Sequence, residues 1–253
     1  MPVAVKLKNV SKSFSIDVAR PSTFAALKKL INLNGHYTRT FYALKDINFE
    51  INKGEYVGLI GNNGAGKTTL LKTISGLHKP DNGEVSVKGE LNYLAGFGIG
   101  MVDELSVSEN IYLYGAVYGL NRDTLREEFD EIIEWAELKN FVGAKLKTLS
   151  TGMKTRLAFS ITRFIDADIF LLDEALSAGD KSFREKCEKV FDSHKLNGKT
   201  FIISTHSMEF VKKFCSKAIW LHKGELMDYG DTEEVLKKYL AMEKEMKLFP
   251  TIS

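Results

Sequence analysis

Short apolar runs along this chain alternate with segments whose apolar residues recur at helical spacing. Val3 to Leu7, Ile47 to Ile51 and Glu55 to Ile60 read as strands, the last running into a glycine-rich stretch. Lys67 to Gly76 reads as a helix with Leu70, Leu71 and Ile74 on its inner side. Pro80-Asp81-Asn82-Gly83 is a turn, because proline fixes φ and glycine accepts φ > 0. The strand pattern resumes at Glu84 to Val87 and Glu90 to Ala95.

The middle of the chain is helical in pattern. Ser108 to Gly119, Asp123 to Leu138 and Met153 to Ile165 are expected as helices, the second with Leu125, Phe129, Ile132 and Ala136 on one stripe. Strand, helix, strand and strand follow at Ile169 to Leu172, Lys181 to Leu196, Thr200 to Ser204 and Ala218 to His222. Such alternation predicts an α/β fold with a mainly parallel sheet. The expected organisation is one domain over 1–253. Residues 1–102 and 165–231 form its sheet core with a β subdomain, and 103–164 form an inserted α-helical subdomain. Two segments stand apart: 17–40, with Phe24, Leu27, Leu30 and Ile31 at helical spacing, and 232–253, a charged amphipathic helix and tail with Val235, Tyr239, Met242 and Met246 on one side.

Composition changes this picture little. Apolar residues make up 44% and charged residues 27% of 253, as in an ordinary globular protein. A formal net charge of +2 gives no electrostatic case for nucleic acid as a partner. Cys187 and Cys215 are too few for a disulfide framework and fall at apolar helical positions, as buried thiols in a reducing compartment do. No stretch approaches ~18 apolar residues, and Met1 to Phe14 has no apolar run of signal-peptide length. The expected compartment is therefore the cytoplasm.

The chemistry begins at Gly61-Asn62-Asn63-Gly64-Ala65-Gly66-Lys67-Thr68, followed by Thr69. This run fits G-x-x-x-x-G-K-[ST] between a strand and a helix, the setting of a phosphate-binding loop. Glycines let the backbone wrap so that successive N–H groups converge on one centre, and the helix start adds positive partial charge. Lys67 would reach the β and γ phosphates, and the Thr68 hydroxyl would ligate Mg²⁺. Nucleotide binding follows; which nucleotide does not, since kinases, GTPases and ATPases share the motif.

Ile169 to Leu172 ends in Asp173 and Glu174. Ligands collect beyond the carboxyl ends of parallel strands. Asp173 is placed to bind Mg²⁺, directly or through water, and Glu174 to polarise an attacking water as general base. His206 follows the strand Thr200 to Ser204, where it could donate a hydrogen bond to phosphate or water. Taken alone, Ser150 in Leu149-Ser150-Thr151-Gly152-Met153 is a helix N-cap.

Taken together, the loop, Leu149-Ser150-Thr151-Gly152-Met153, Asp173-Glu174, Ser177-Ala178-Gly179-Asp180 and His206 occur in the order of the ABC transporter nucleotide-binding subunits. The chain resembles that family over about residues 3 to 230. The resemblance implies a P-loop NTPase sheet core, ATP and Mg²⁺ as cofactors, and ATP hydrolysis coupled to transport. It also implies a head-to-tail homodimer in which Ser150 and Gly152 of one copy bind the γ phosphate held by the other, with Asp180 as the D-loop acid. Two copies of an integral-membrane channel subunit would be the further partner, with the ATPase on the cytoplasmic face of the membrane. The adenine base would stack on an aromatic near the first strands, Phe14 as first choice and Tyr42 as second.

One departure is plain: the sequence contains no glutamine. The family's Q-loop glutamine is therefore absent, its place taken by Leu94-Ala95-Gly96-Phe97-Gly98-Ile99-Gly100. This segment, the altered signature and the run Asp173-Glu174-Ala175-Leu176-Ser177-Ala178-Gly179-Asp180 are similar to those of the ATPases that export lipid-linked polysaccharides of the O-antigen, capsule and teichoic-acid group. In that group the amphipathic helix at Thr23 to Leu33 would lie near the membrane interface, with Lys28 and Lys29 toward anionic lipid. The alternatives are an ABC ATPase energising transport of another substrate, and a non-transport ABC ATPase.

Overall fold

The computed structural model describes residues 2–17, 38–96, 98–173 and 181–248. Two sheets organise the described residues. The first is antiparallel, in the order β2-β1-β4, with β1 at Val3–Asp17, β2 at Thr38–Asn52 and β4 at Asn82–Val87. The second has the order β5-β6-β7-β3-β8-β9, formed by β3 (Tyr56–Ile60), β5 (Leu91–Leu94), β6 (Ile169–Asp173), β7 (Thr200–Ser204), β8 (Lys217–His222) and β9 (Glu225–Asp231). Its pairings are parallel except for the β8–β9 hairpin.

The central strands β3, β6 and β7 are buried throughout, which is why their sequences are unbroken apolar runs. Successive side chains alternate between faces. Tyr56, Ile60, Phe170, Leu172, Phe201 and Ile203 accordingly enter one core cluster, and Val57, Leu59, Ile169, Leu171 and Ile202 the other. The first cluster takes in Cys187 and Phe191 of α6 (Lys181–Leu196), Val211 and Phe214 of α7 (Met208–Phe214), and Val235 and Tyr239 of α8 (Thr232–Leu248). The second takes in Leu70, Leu71 and Ile74 of α1 (Lys67–Ile74) and the inner face of the antiparallel sheet. Both cysteines are buried, as their apolar settings predict.

A third cluster belongs to the helical block: α2 (Val107–Val117), α3 (Arg122–Glu127), α4 (Phe129–Ala136) and α5 (Thr151–Thr162). The sequence reads Asp123 to Leu138 as one helix, but the structure breaks it at Glu128, which has φ −92° and ψ 2°. Leu125, on the first of the two helices, packs against Gly115. Its Cδ atoms lie only 2.6 Å from where a Cβ on Gly115 would be, and Leu125, Ile132 and Ala136 all enter the same buried cluster across the break.

Two further differences are local. β1 and β2 pair well beyond the expected apolar runs, out to Asp17 and Thr38. β9 and α7, neither expected, complete the sheet edge and cover β3. The segment from Thr23 to Leu33, expected as an amphipathic helix, lies outside the described residues.

Candidate functional site

Strand register builds the site. In the second sheet Asp173 pairs with Ser204, and Ser204 pairs with Leu59. Asp173 ends β6, Ser204 stands two residues before His206, and Leu59 stands two residues before Gly61. Three short parallel strands thus deliver an acid, a histidine and the phosphate-binding loop to one carboxyl edge of the sheet, as the sequence motifs require.

Gly61 takes φ 144° as the chain turns out of β3, and Gly66 takes φ 107° as it enters α1. Gly66 is the N-cap of α1 and no side chain caps that end, which suits the helix start to an anion. Lys67 Nζ donates to the carbonyl oxygens of Gly61 at 2.7 Å and Asn62 at 3.2 Å. The Asn62 carbonyl also accepts from the Ala65 N–H at 3.0 Å, so this oxygen is the pivot of the loop. The loop is braced from behind: the Gly224 N–H, in the tight β8–β9 turn, donates to the Ala65 carbonyl at 3.0 Å.

A cleft of about 590 Å³ opens over the loop. Gly64, Lys67, Thr68, Thr69 and Asp173 line it together with Phe41, Tyr42 and Lys223. Asn63, Ala65 and Gly66 also line it. Asp173 is buried, 7% exposed, and accepts a 3.4 Å hydrogen bond from the Tyr93 hydroxyl of β5. Burial and the Asp173 charge together push the Tyr93 phenol up, so it stays a donor. Among the described residues no group of three or more His, Cys, Asp or Glu could hold a metal unaided. The Thr68 hydroxyl and the Asp173 carboxylate facing one cleft fit Mg²⁺, which typically takes one or two protein oxygens and completes its shell with phosphate and water.

His206 is exposed and lines a second recess with Asn62, Asn63, Met208, Tyr239 and Glu243. Ser150 caps α5, accepting from the Met153 N–H at 3.3 Å, and its side chain is exposed. Neither Ser150 nor Gly152 lines the cleft of its own chain. Glu174 and Asp180 lie outside the described residues.

Phe14, the first choice for an adenine platform, is set one strand back from the cleft lining. Its ring packs on Phe41 at 5.9 Å and edge-on to His78 at 5.4 Å, and it does not line the cleft. Tyr42, 54% exposed, does, and so does Phe41. β1 and β2 pair Phe14 with Phe41 and Ser13 with Tyr42, so β2 carries the aromatic pair that meets the cleft. Phe41 and Lys223 were missed. Lys223 has φ 48° in the His222-Lys223-Gly224 turn, where Gly224 is the one local turn signal and nothing local points to the cleft.

The sequence pattern of the ABC transporter family matches residues 44–177, more than half of the chain. The chain belongs to the ABC transporter family. It is an ATP-binding ATPase domain of that family. It is 40% identical to the teichoic acids export ATP-binding protein TagH of Bacillus cereus (strain ZK / E33L), over 97% of this chain and 44% of that protein. It is 40% identical to TagH of Lactococcus lactis subsp. lactis over 94% of this chain and 50% of that protein. Against TagH of Staphylococcus haemolyticus the identity is 36%, over 98% of this chain and 92% of the other. The chain spans about half the length of the Bacillus and Lactococcus relatives. Among solved structures, an ATP-binding subunit of an ABC transporter superposes with TM-score 0.71 at 20% identity, covering 93% of each chain. The ATP-binding cassette MJ0796, solved as a dimer in a post-hydrolysis state with ADP and phosphate, superposes with TM-score 0.69 at 25% identity, covering 90% of this chain and 98% of that one. No described helix of this ABC ATPase domain is long and apolar enough to cross a membrane.

Proposed function

We propose that this ABC ATPase domain hydrolyses Mg²⁺-ATP to drive export of a lipid-linked polysaccharide through a separate membrane channel. The observation that carries the reading is the single cleft shared by Lys67, Thr68 and Asp173. In it, Gly61 to Thr69 cradle the triphosphate, Lys67 neutralises the β and γ phosphates, and Thr68 and Asp173 hold Mg²⁺, which supplies charge stabilisation at the transferring phosphate. Tyr42, with Phe41, takes the adenine face. Glu174 acts as general base, and His206 donates to the γ phosphate or the attacking water.

The site is completed by a second copy. Ser150 and Gly152 lie away from the cleft of their own chain, at the exposed start of α5, where a hydroxyl and N–H groups suit a phosphate. Two copies arranged head to tail bring each α5 start, with Asp180, to the nucleotide held by the other. Closure on ATP and opening after hydrolysis push on two channel subunits, with the ATPase pair at the cytoplasmic face of the membrane. The relatives named above favour the teichoic-acid branch of the substrate class over O-antigen or capsule.

Glu174→Gln tests the chemistry. The variant binds Mg²⁺-ATP, turns it over at least about a hundredfold more slowly, and accumulates as an ATP-dependent dimer on size exclusion. A fast-hydrolysing variant places the base elsewhere. Substrate class is tested by deletion in the cell: undecaprenyl-linked glycan accumulates inside, whereas normal surface glycan refutes the export reading.

A further inference from the structure

The C-terminal helix α8 reaches the phosphate-binding loop. Its Tyr239 hydroxyl lies 3.2 Å from Asn62 Oδ1 and 3.2 Å from Glu243 Oε1, one helical turn further along. One phenolic proton cannot serve both acceptors at once. With the proton directed to the carboxylate, the Asn62 amide turned by half a rotation donates Nδ2–H to the phenol oxygen; either arrangement ties the three side chains together. Burial and the Glu243 charge push the phenol up to about 12, so it keeps its proton at any working pH.

The Tyr239 ring is held firmly. It is 6% exposed and stands edge-on to Trp220 of β8, with centroids 5.7 Å apart. Tyr239, Trp220 and Ile60, the residue that leads into Gly61, share one core cluster. The helix start is pinned as well: Thr232 Oγ1 donates to the Cys215 carbonyl at 2.7 Å, and Asp231 Oδ1 accepts from the Glu233 N–H at 2.9 Å. A fixed hydroxyl therefore meets an exposed asparagine at the outer bend of the loop. The backbone oxygen of that asparagine is the one that accepts from Lys67 and Ala65.

We propose that Tyr239 is a positioning residue of the nucleotide site: through Asn62 it fixes the outer bend of the phosphate-binding loop, which makes the C-terminal helix part of the apparatus that holds the triphosphate. The proposal rests on the reading of the cleft as an ATP site. Because the loop meets ground state and transition state alike, loss of the hydroxyl weakens binding and leaves the chemical step nearly unchanged.

The test compares the full chain with Tyr239→Phe, Asn62→Ala, the double variant and Lys67→Ala, by titration with a fluorescent ATP derivative and Mg²⁺, by steady-state hydrolysis, and by melting without nucleotide. Tyr239→Phe keeps the ring on Trp220 and is expected to raise Kd and KM for ATP about 3- to 10-fold, the worth of one hydrogen bond, with kcat within about twofold. Asn62→Ala, at an exposed position, shows a similar loss, and adding Tyr239→Phe to it changes nothing further. Wild-type binding by Tyr239→Phe overturns the proposal. So does a loss that adds in full to that of Asn62→Ala, which would mark Tyr239 as core packing only. Lys67→Ala separates the two readings: if it binds ATP like the wild type, the ATP site itself is wrong, whereas its failure to bind beside a normal Tyr239→Phe refutes only the role of the helix.

Discussion

The Lys67 ammonium donates to the Gly61 carbonyl at 2.7 Å, so the first residue of the phosphate-binding loop and the lysine at its end hold each other in place. Lys67 is 8% exposed and lines the cleft. Its charge is therefore presented from a fixed position in a partly desolvated setting, where a charge-assisted hydrogen bond to phosphate is worth more than in water. Lys67→Ala removes that charge and is expected to lower ATP affinity by about 10- to 100-fold, the equivalent of ~1.5–3 kcal/mol. Equilibrium titration with a fluorescent ATP derivative checks this, and unchanged affinity would remove the cleft from consideration.

Tyr93 and Asp173 make the next prediction. The Tyr93 hydroxyl donates to the buried Asp173 carboxylate at 3.4 Å, a long bond that orients the carboxylate from the neighbouring strand. A group that orients a metal ligand tunes metal affinity without touching the metal. Tyr93→Phe should leave the fold intact and raise the Mg²⁺ concentration needed for half-maximal ATP hydrolysis by about 10-fold, the weak end for such a contact. A Mg²⁺ titration at saturating ATP measures it. An unchanged midpoint would show that Asp173 is held by the β6–β7 ladder alone.

Local chemistry was readable in the chain, and long-range pairing was not. Gly61 to Thr68 declared itself because strand, tight turn and helix start are all coded within a dozen neighbouring residues. β3, β6 and β7 declared themselves because burial on both faces demands unbroken apolar runs. The outer half of the β1–β2 ribbon did not, since Ser13, Ser15, Thr38 and Thr40 are half-buried or exposed there and show no core-facing alternation. For the same reason the sequence offered Phe14 on β1 and Tyr42 on β2 without deciding between them, and it is β2, with Phe41 and Tyr42, that lines the cleft. Lys223 reaches the cleft because the β8–β9 turn lies against Ala43 and Ala65, far away in sequence. The tie between Tyr239 and Asn62 spans 177 positions, and neither residue type signals it.

The cysteines offer a probe of the first core cluster. Cys187 is fully buried and Cys215 is 5% exposed. Burial pushes both thiols up, Cys215 to about 12, so at pH 8 almost no thiolate is present at either. Native protein is expected to resist alkylation by iodoacetamide at pH 8 for hours and to react at both positions within minutes in denaturant. Rapid labelling of the native chain at either residue would mean that α6 or the end of α7 opens from the sheet far more readily than its packing allows.

The glycines of the loop separate backbone demands from ligand demands. Gly61 takes φ 144°, and a Cβ there would stand 2.3 Å from the Leu221 carbonyl oxygen. Neither the conformation nor the neighbour can give, because Leu221 sits inside β8, paired on to β9. Gly61→Ala is therefore expected to cost roughly 3 kcal/mol or more, from backbone strain and overpacking together. For a domain of this size that lowers Tm by about 6–12 °C. Gly64 has φ 77° but nothing within 4 Å of its would-be Cβ. Gly64→Ala pays only for the left-handed backbone, about 1 kcal/mol, and lowers Tm by about 2–4 °C. Melting of the two variants without nucleotide distinguishes them. Equal destabilisation would mean that the turn out of β3 is not clamped against β8 at Leu221.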